Sequence, residues 1–176
     1  MLKSKIAACA ALLSLVWMGR AADANAATIC VYIAETGLGE DGPLAEASSA
    51  WEGGVMDAVF DAGHIVCNAP ASRLPDDGKI LKDGFVADPA LGVEAAWEGG
   101  AEYLLRVVLF YEARDGASRA ARLSPSRVTI ELRRLEPGEI IARESKIGMA
   151  ATSTGAEDAR SAKALARAVI ARMKDR

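Results

Sequence analysis

Residues 35–42 read "ETGLGEDG", so Gly37, Gly39 and Gly42 stand in G-x-G-x-x-G spacing directly behind the apolar run "TICVYIA". That spacing lets a backbone approach a dinucleotide pyrophosphate. The diphosphate then rests on the N-terminus of the next helix, and an acid about 20 residues on holds the ribose. Here the strand is present, but the helical period resumes only near Ala47. The second strand ends in Cys67-Asn68, which offers no carboxylate. Glu40 and Asp41 lie inside the loop, where they repel a pyrophosphate that backbone N–H groups should attract. The motif reads as a solvated turn, and no cofactor is expected.

Other chemistry-bearing residues are sparse. His64 is the sole histidine. A general base needs a nucleophile and an orienting acid beside it, whereas Asp57 and Asp61 fall on the preceding helix. It reads as a half-buried strand residue. Asp76, Asp77, Asp83 and Asp88 miss the D-x-D-x-D-G calcium spacing, and Lys79 and Lys82 dilute their charge. Ser118, Ser124, Ser126 and Ser145 lack the G-x-S-x-G setting of a hydrolase nucleophile. No catalytic residue and no metal-ligand set is assigned. Arg160, Lys163 and Arg167 share one face of a helix. That pattern ordinarily means a solvated face, and it is also the candidate surface for an acidic partner.

The amino terminus predicts export. Lys3 and Lys5 precede the apolar run at residues 6–18, and Ala24-Asn25-Ala26 supplies a small-x-small cleavage site. Cleavage after Ala26 takes the chain from 176 residues to 150 and its net charge from −3 to −5. We expect residues 1–26 to be a signal peptide and 27–176 a single periplasmic or secreted domain. An acidic chain lacks the cationic face that nucleic acid requires. No second stretch is apolar enough to cross a membrane. Cys30 and Cys67 remain after cleavage. In an oxidising compartment such a pair is a candidate disulfide, and two buried free thiols are the alternative.

Periodicity supplies the elements. Strands are predicted at 28–34, 64–68, 102–112, 126–135 and 139–147, and helices at 46–62, 89–98 and 156–174. Asp88-Pro89 looks like a helix start, since proline lacks the N–H unused there. Val128, Ile130 and Leu132 alternate with Thr129, Glu131 and Arg133, which suggests one apolar and one polar face. Residues 69–88 read as a long loop. "AWEGG" recurs at 50–54 and 96–100. In the first copy the helix continues past the glycines and in the second it stops, so duplication is not inferred. The order β-α-β-α-β-β-β-α implies an α/β (α+β) fold, with three helices on a mixed five-stranded sheet.

Gly100, Ala101, Glu102, Tyr103, Leu104 and Leu105 match a "G-A-D-Y-hydrophobic run" that begins the third strand in a known group of domains. With the element order, this resembles the amino-terminal domain of the Tol-system protein TolB, and it is similar to the periplasmic domains of the lipoproteins LpoB and CsgG. The resemblance implies a non-catalytic envelope module that binds a protein partner. It carries no catalytic residues, and this chain lacks those lipoproteins' lipidation cysteine. The alternative function is a small ligand binder or hydrolase using the edge after the first strand. There Glu35, Glu40, Asp41 and Asn68 would gather at the carboxyl ends of parallel strands.

Overall fold

The computed structural model describes residues 26–38, 44–74, 85–112, 124–148 and 154–175. Residues 1–25 of the expected signal peptide and the acids Asp76, Asp77 and Asp83 lie outside them. Among the described residues there are six strands: β1 (Thr28–Thr36), β2 (Ile65–Asn68), β3 (Ser72–Arg73), β4 (Tyr103–Phe110), β5 (Arg127–Arg134) and β6 (Ile140–Ile147). They form one mixed sheet in the order β2-β1-β4-β5-β6, with β3 also pairing β1. β1 is parallel to β2, β3 and β4, whereas β5 and β6 continue the sheet antiparallel. Three helices join them: α1 (Glu46–Asp61), α2 (Val93–Glu98) and α3 (Gly155–Ala171), the last followed by a 3-10 turn. The fold is the mixed α/β sheet with three helices predicted from the pattern. The sixth strand is the two-residue β3, inside what reads as loop.

Each sheet face has its own core. On one, Ile29, Val31 and Ile33 of β1, Leu105 and Val107 of β4 and Val128 and Ile130 of β5 meet α1 and α3. Trp51, Val55 and Val59 cover it from α1, and Ala162, Ala166 and Val169 from α3. Burying each large aliphatic side chain stabilises by about 1.5–3 kcal/mol. On the other face, Cys30, Tyr32, Leu104 and Val108 lie beneath Leu74, Val86 and Ala96. Both faces of β1 and β4 are thus buried, which is why their sequences are mostly apolar on both sides.

Two helix starts have identifiable causes. α2 begins at Val93 rather than Pro89, because its N-cap Gly92 is left-handed (φ 79°). Asp88 caps only a turn, its Oδ1 accepting the Ala90 N–H at 2.8 Å. The carbonyls of Asp88, Pro89 and Leu91 accept hydrogen bonds from arginine side chains. At α3, Thr154 and Glu157 form a reciprocal capping box, which satisfies N–H groups that a helix start otherwise leaves open.

Candidate functional site

The edge after β1 is built for packing. Gly37, the first glycine of the motif, has φ 89°, and a Cβ there would lie 1.9 Å from the Tyr111 carbonyl oxygen. Its role is to let β1's exit pass the end of β4. Glu35 is completely buried. Its Oε2 accepts the Ala45 N–H at 3.0 Å and the Ser48 hydroxyl at 2.8 Å, at the start of α1. Its Oε1 accepts Arg73 Nε at 3.1 Å and is ion-paired with the same guanidinium. The Ser48 hydroxyl also meets the Tyr111 hydroxyl at 3.1 Å. Both carboxylate oxygens are therefore occupied by donors from three residues, at the start of α1 and on β3. Asn68 is exposed and donates to Glu52 at 3.1 Å. Glu40 and Asp41 lie outside the described residues.

Two of the three basic residues singled out on α3, Lys163 and Arg167, face α1. Lys163 bridges Asp61 at 2.9 Å and Asp57 at 3.5 Å, and Arg167 bridges Asp61 at 2.5 Å. Lys163, then Arg167, holds the Asp61 carboxyl below the usual range, and Asp61 in turn pushes Lys163 up. Arg160 bonds the Ala156 carbonyl of its own helix at 3.1 Å. Cys30 and Cys67 sit directly opposite each other on β1 and β2, both as free thiols. His64 is half-buried just before β2, its Nδ1 accepting the Ala27 N–H at 3.3 Å. Burial first, then the charge of Lys174, lowers its pKa.

A buried ionic ladder was not legible as such. Arg106 Nη2 meets Glu131 Oε1 at 2.5 Å, and Glu131 Oε2 accepts Arg143 Nε at 2.7 Å. The Arg106 and Glu131 side chains are each only 3% exposed. The second Arg106 nitrogen holds the Asp88 carbonyl at 2.8 Å, Arg133 holds Pro89 at 2.8 Å, and Arg143 lies 4.8 Å from the Phe85 ring centre. Residues 85–92 are thus fastened over the face of β5 that the alternation marks as polar. Arg106 within "LLRVVL" was the available signal, since a charge in a buried strand needs a partner.

A cleft of about 270 Å³ opens at the other end of the sheet, where β4 begins and β5 ends. Tyr103 and Arg134 are cross-strand partners there. The Arg134 guanidinium lies 5.6 Å from the Tyr103 ring centre, and its Nε donates to the Tyr103 hydroxyl at 3.3 Å. Leu135 forms an apolar wall and Glu102 and Glu136 an acidic margin. Trp97, 47% exposed, lines the same cleft from the end of α2. Gly99-Gly100 explains its position, because the left-handed Gly100 turns the chain at once into β4. None of these residues was singled out as a site in the sequence. The signal was a tryptophan placed immediately before a helix stop.

The architecture is a mixed α/β domain, with helices on both faces of the sheet and an aromatic cleft at one end. No family model matches the sequence, and no curated protein matches it. Several solved structures are similar to it, all at low identity. The chain is similar to the PelC dodecamer from Paraburkholderia phytofirmans, with 20% identity, TM-score 0.42, and 87% of this chain and 91% of that one covered. It is similar to the LpoB C-terminal domain from Salmonella enterica, with 13% identity, TM-score 0.36, and 76% and 91% covered. It is also similar to lipoprotein GNA1162 from Neisseria meningitidis, with 13% identity, TM-score 0.38, and 85% and 99% covered. The LpoB domain, which the sequence resembles, is thus among the similar solved structures, and that similarity is weak. At such identities it assigns no residue a role. Among the described residues, no helix is long and apolar enough to cross a membrane.

Proposed function

We propose that the protein is an exported, non-catalytic accessory module of the cell envelope that acts by binding a protein partner through the Trp97 cleft. The observation that carries this reading is the convergence of Trp97, Tyr103 and Arg134 on one cleft. These three residue types dominate the energetics of protein contacts, because each combines a large apolar or planar surface with directional polar groups. Trp97 stays half-exposed although burial would favour it. A partner side chain entering the cleft would cover the indole and Leu135, with Arg134 and the acidic margin fixing its orientation. Glu35, the one acid of the rival ligand edge among the described residues, is already occupied by Arg73, Ser48 and Ala45.

The test is site-specific crosslinking in intact envelopes. A photo-reactive residue at Glu136, on the cleft margin, is expected to give a discrete adduct that Trp97→Ala abolishes. The same probe at the exposed Ser49 on α1 serves as control. Adduct yields at Glu136 equal to those at Ser49, or unchanged by Trp97→Ala, would overturn the cleft as the binding surface. Turnover of a simple ester, sugar or phosphate that a single acidic or imidazole substitution removes would overturn the non-catalytic assignment.

A further inference from the structure

Cys30 and Cys67 occupy opposed positions on the parallel strands β1 and β2. Neighbouring strands lie about 4.8 Å apart. That spacing falls inside the Cα separation of roughly 4.4–6.8 Å that a disulfide spans. Both side chains project from the same sheet face, where Cys67 packs against the cluster containing Cys30 and Tyr32. The two sulfurs differ in access. Cys30 is 1% exposed in the sheet interior. Cys67 is half-buried on a four-residue edge strand, next to Gly99, whose missing Cβ would lie 3.0 Å from its Sγ. A side chain at Gly99 would press on that sulfur.

We infer that Cys67 and Cys30 form a thiol–disulfide exchange site, with Cys67 the entry thiol, Cys30 the resolving thiol and an external disulfide the oxidant. The Cys67 thiolate attacks one sulfur of the oxidant RS–SR, forming Cys67–S–SR and releasing one RS⁻. Cys30 then gives up its proton and attacks Cys67 Sγ, which releases the second RS⁻ and closes an S–S bond between β1 and β2. The protein loses two electrons and two protons, and the oxidant becomes two thiols. In the dithiol, burial and then the adjoining Cys67 sulfur push the Cys30 thiol up to about 12, which leaves Cys67 the thiol that reacts first. The product ties the short edge strand to the centre of the sheet, which leaves β2 unable to separate from β1.

The experiment uses the purified full protein carrying Cys9→Ser, so that Cys30 and Cys67 are its two thiols, with oxidised glutathione as the probe and intact mass under non-reducing conditions. That protein is expected to acquire one glutathionyl group and then lose it, ending two hydrogens lighter than the dithiol. Peptide mapping should join Cys30 to Cys67. Cys30→Ser should keep the glutathionyl group, and Cys67→Ser should acquire it at least about tenfold more slowly. Cys30→Ala serves if the buried serine hydroxyl prevents folding. The inference is overturned if the folded Cys9→Ser protein keeps two alkylatable thiols after oxidation. It is equally overturned if Cys67→Ser reacts as fast as Cys30→Ser.

Discussion

Gly53 and Gly54 are adjacent in the middle of α1, and one substitution made at each should have opposite effects. At Gly53, exposed, a Cβ would meet nothing within 4 Å. At Gly54, buried, it would lie 2.2 Å from the Ala159 carbonyl oxygen and 2.8 Å from Ala162 Cβ, both on α3. Alanine stabilises a helix interior over glycine by about 1 kcal/mol. Gly53→Ala should therefore add about 1 kcal/mol. Gly54→Ala gains the same propensity but forces apart two helices that bury the main core. The obstacle is backbone, which cannot rotate away, so the cost belongs at the upper end of overpacking, about 3 kcal/mol. The net loss is about 2 kcal/mol. An unfolding entropy of about 2.1 cal/mol/K per residue over roughly 150 residues makes 1 kcal/mol worth about 3 °C. Thermal unfolding followed by circular dichroism should place Gly53→Ala about 3 °C above the wild type and Gly54→Ala about 6 °C below it. A Gly54→Ala protein melting at or above the wild type would refute the close α1–α3 approach. A Gly53→Ala protein falling as far as Gly54→Ala would refute the separation of the two roles.

Three further outcomes follow from buried polar groups. Arg106→Met leaves Glu131 with Arg143 alone and frees the Asp88 carbonyl, so denaturant unfolding should show a loss of about 3–5 kcal/mol, with faster proteolysis within residues 85–92. Glu35→Ala removes the acceptor shared by Arg73, the Ser48 hydroxyl and the Ala45 N–H and should cost a similar amount, about 3–5 kcal/mol, in the same assay. The pH dependence turns on His64, whose folded pKa is depressed below its ordinary 6.5 by burial and then by Lys174. The unfolded chain then binds the proton more readily, so stability is complete above 6.5 and declines as pH falls toward and through the lower folded value. Protonation at Nδ1 also removes the acceptor for the Ala27 N–H. The melting temperature should fall between pH ~7 and pH ~5, and His64→Gln should flatten that portion of the curve. An unchanged slope in His64→Gln would remove His64 from the account.

Periodicity alone placed β1, α1, β4, β5, β6 and α3 within a few residues of where they stand. The reason is that a period of two or 3.6 is a local property, and burial on one or both faces imprints it directly. The order of elements then implied the mixed sheet and its three helices. The two-residue β3 was invisible, because Ser72-Arg73 becomes a strand only through pairing with Ala34 and Glu35 of β1. The start of α2 was misplaced for a related reason: the carbonyls near Asp88 are claimed by Arg106 and Arg133, which arrive from strands later in the chain. Thr129, Glu131 and Arg133 carry polar side chains whichever way they face, so composition could not reveal that residues 85–92 cover them. The candidate cleft was likewise hidden, since Trp97, Tyr103 and Arg134 meet only when β4 and β5 pair. Sequence therefore specified which segments extend or coil and which sides are apolar. Tertiary structure decided which charges are buried, which glycines touch a neighbour and where an aromatic cleft opens, because each of those depends on atoms brought together from distant parts of the chain.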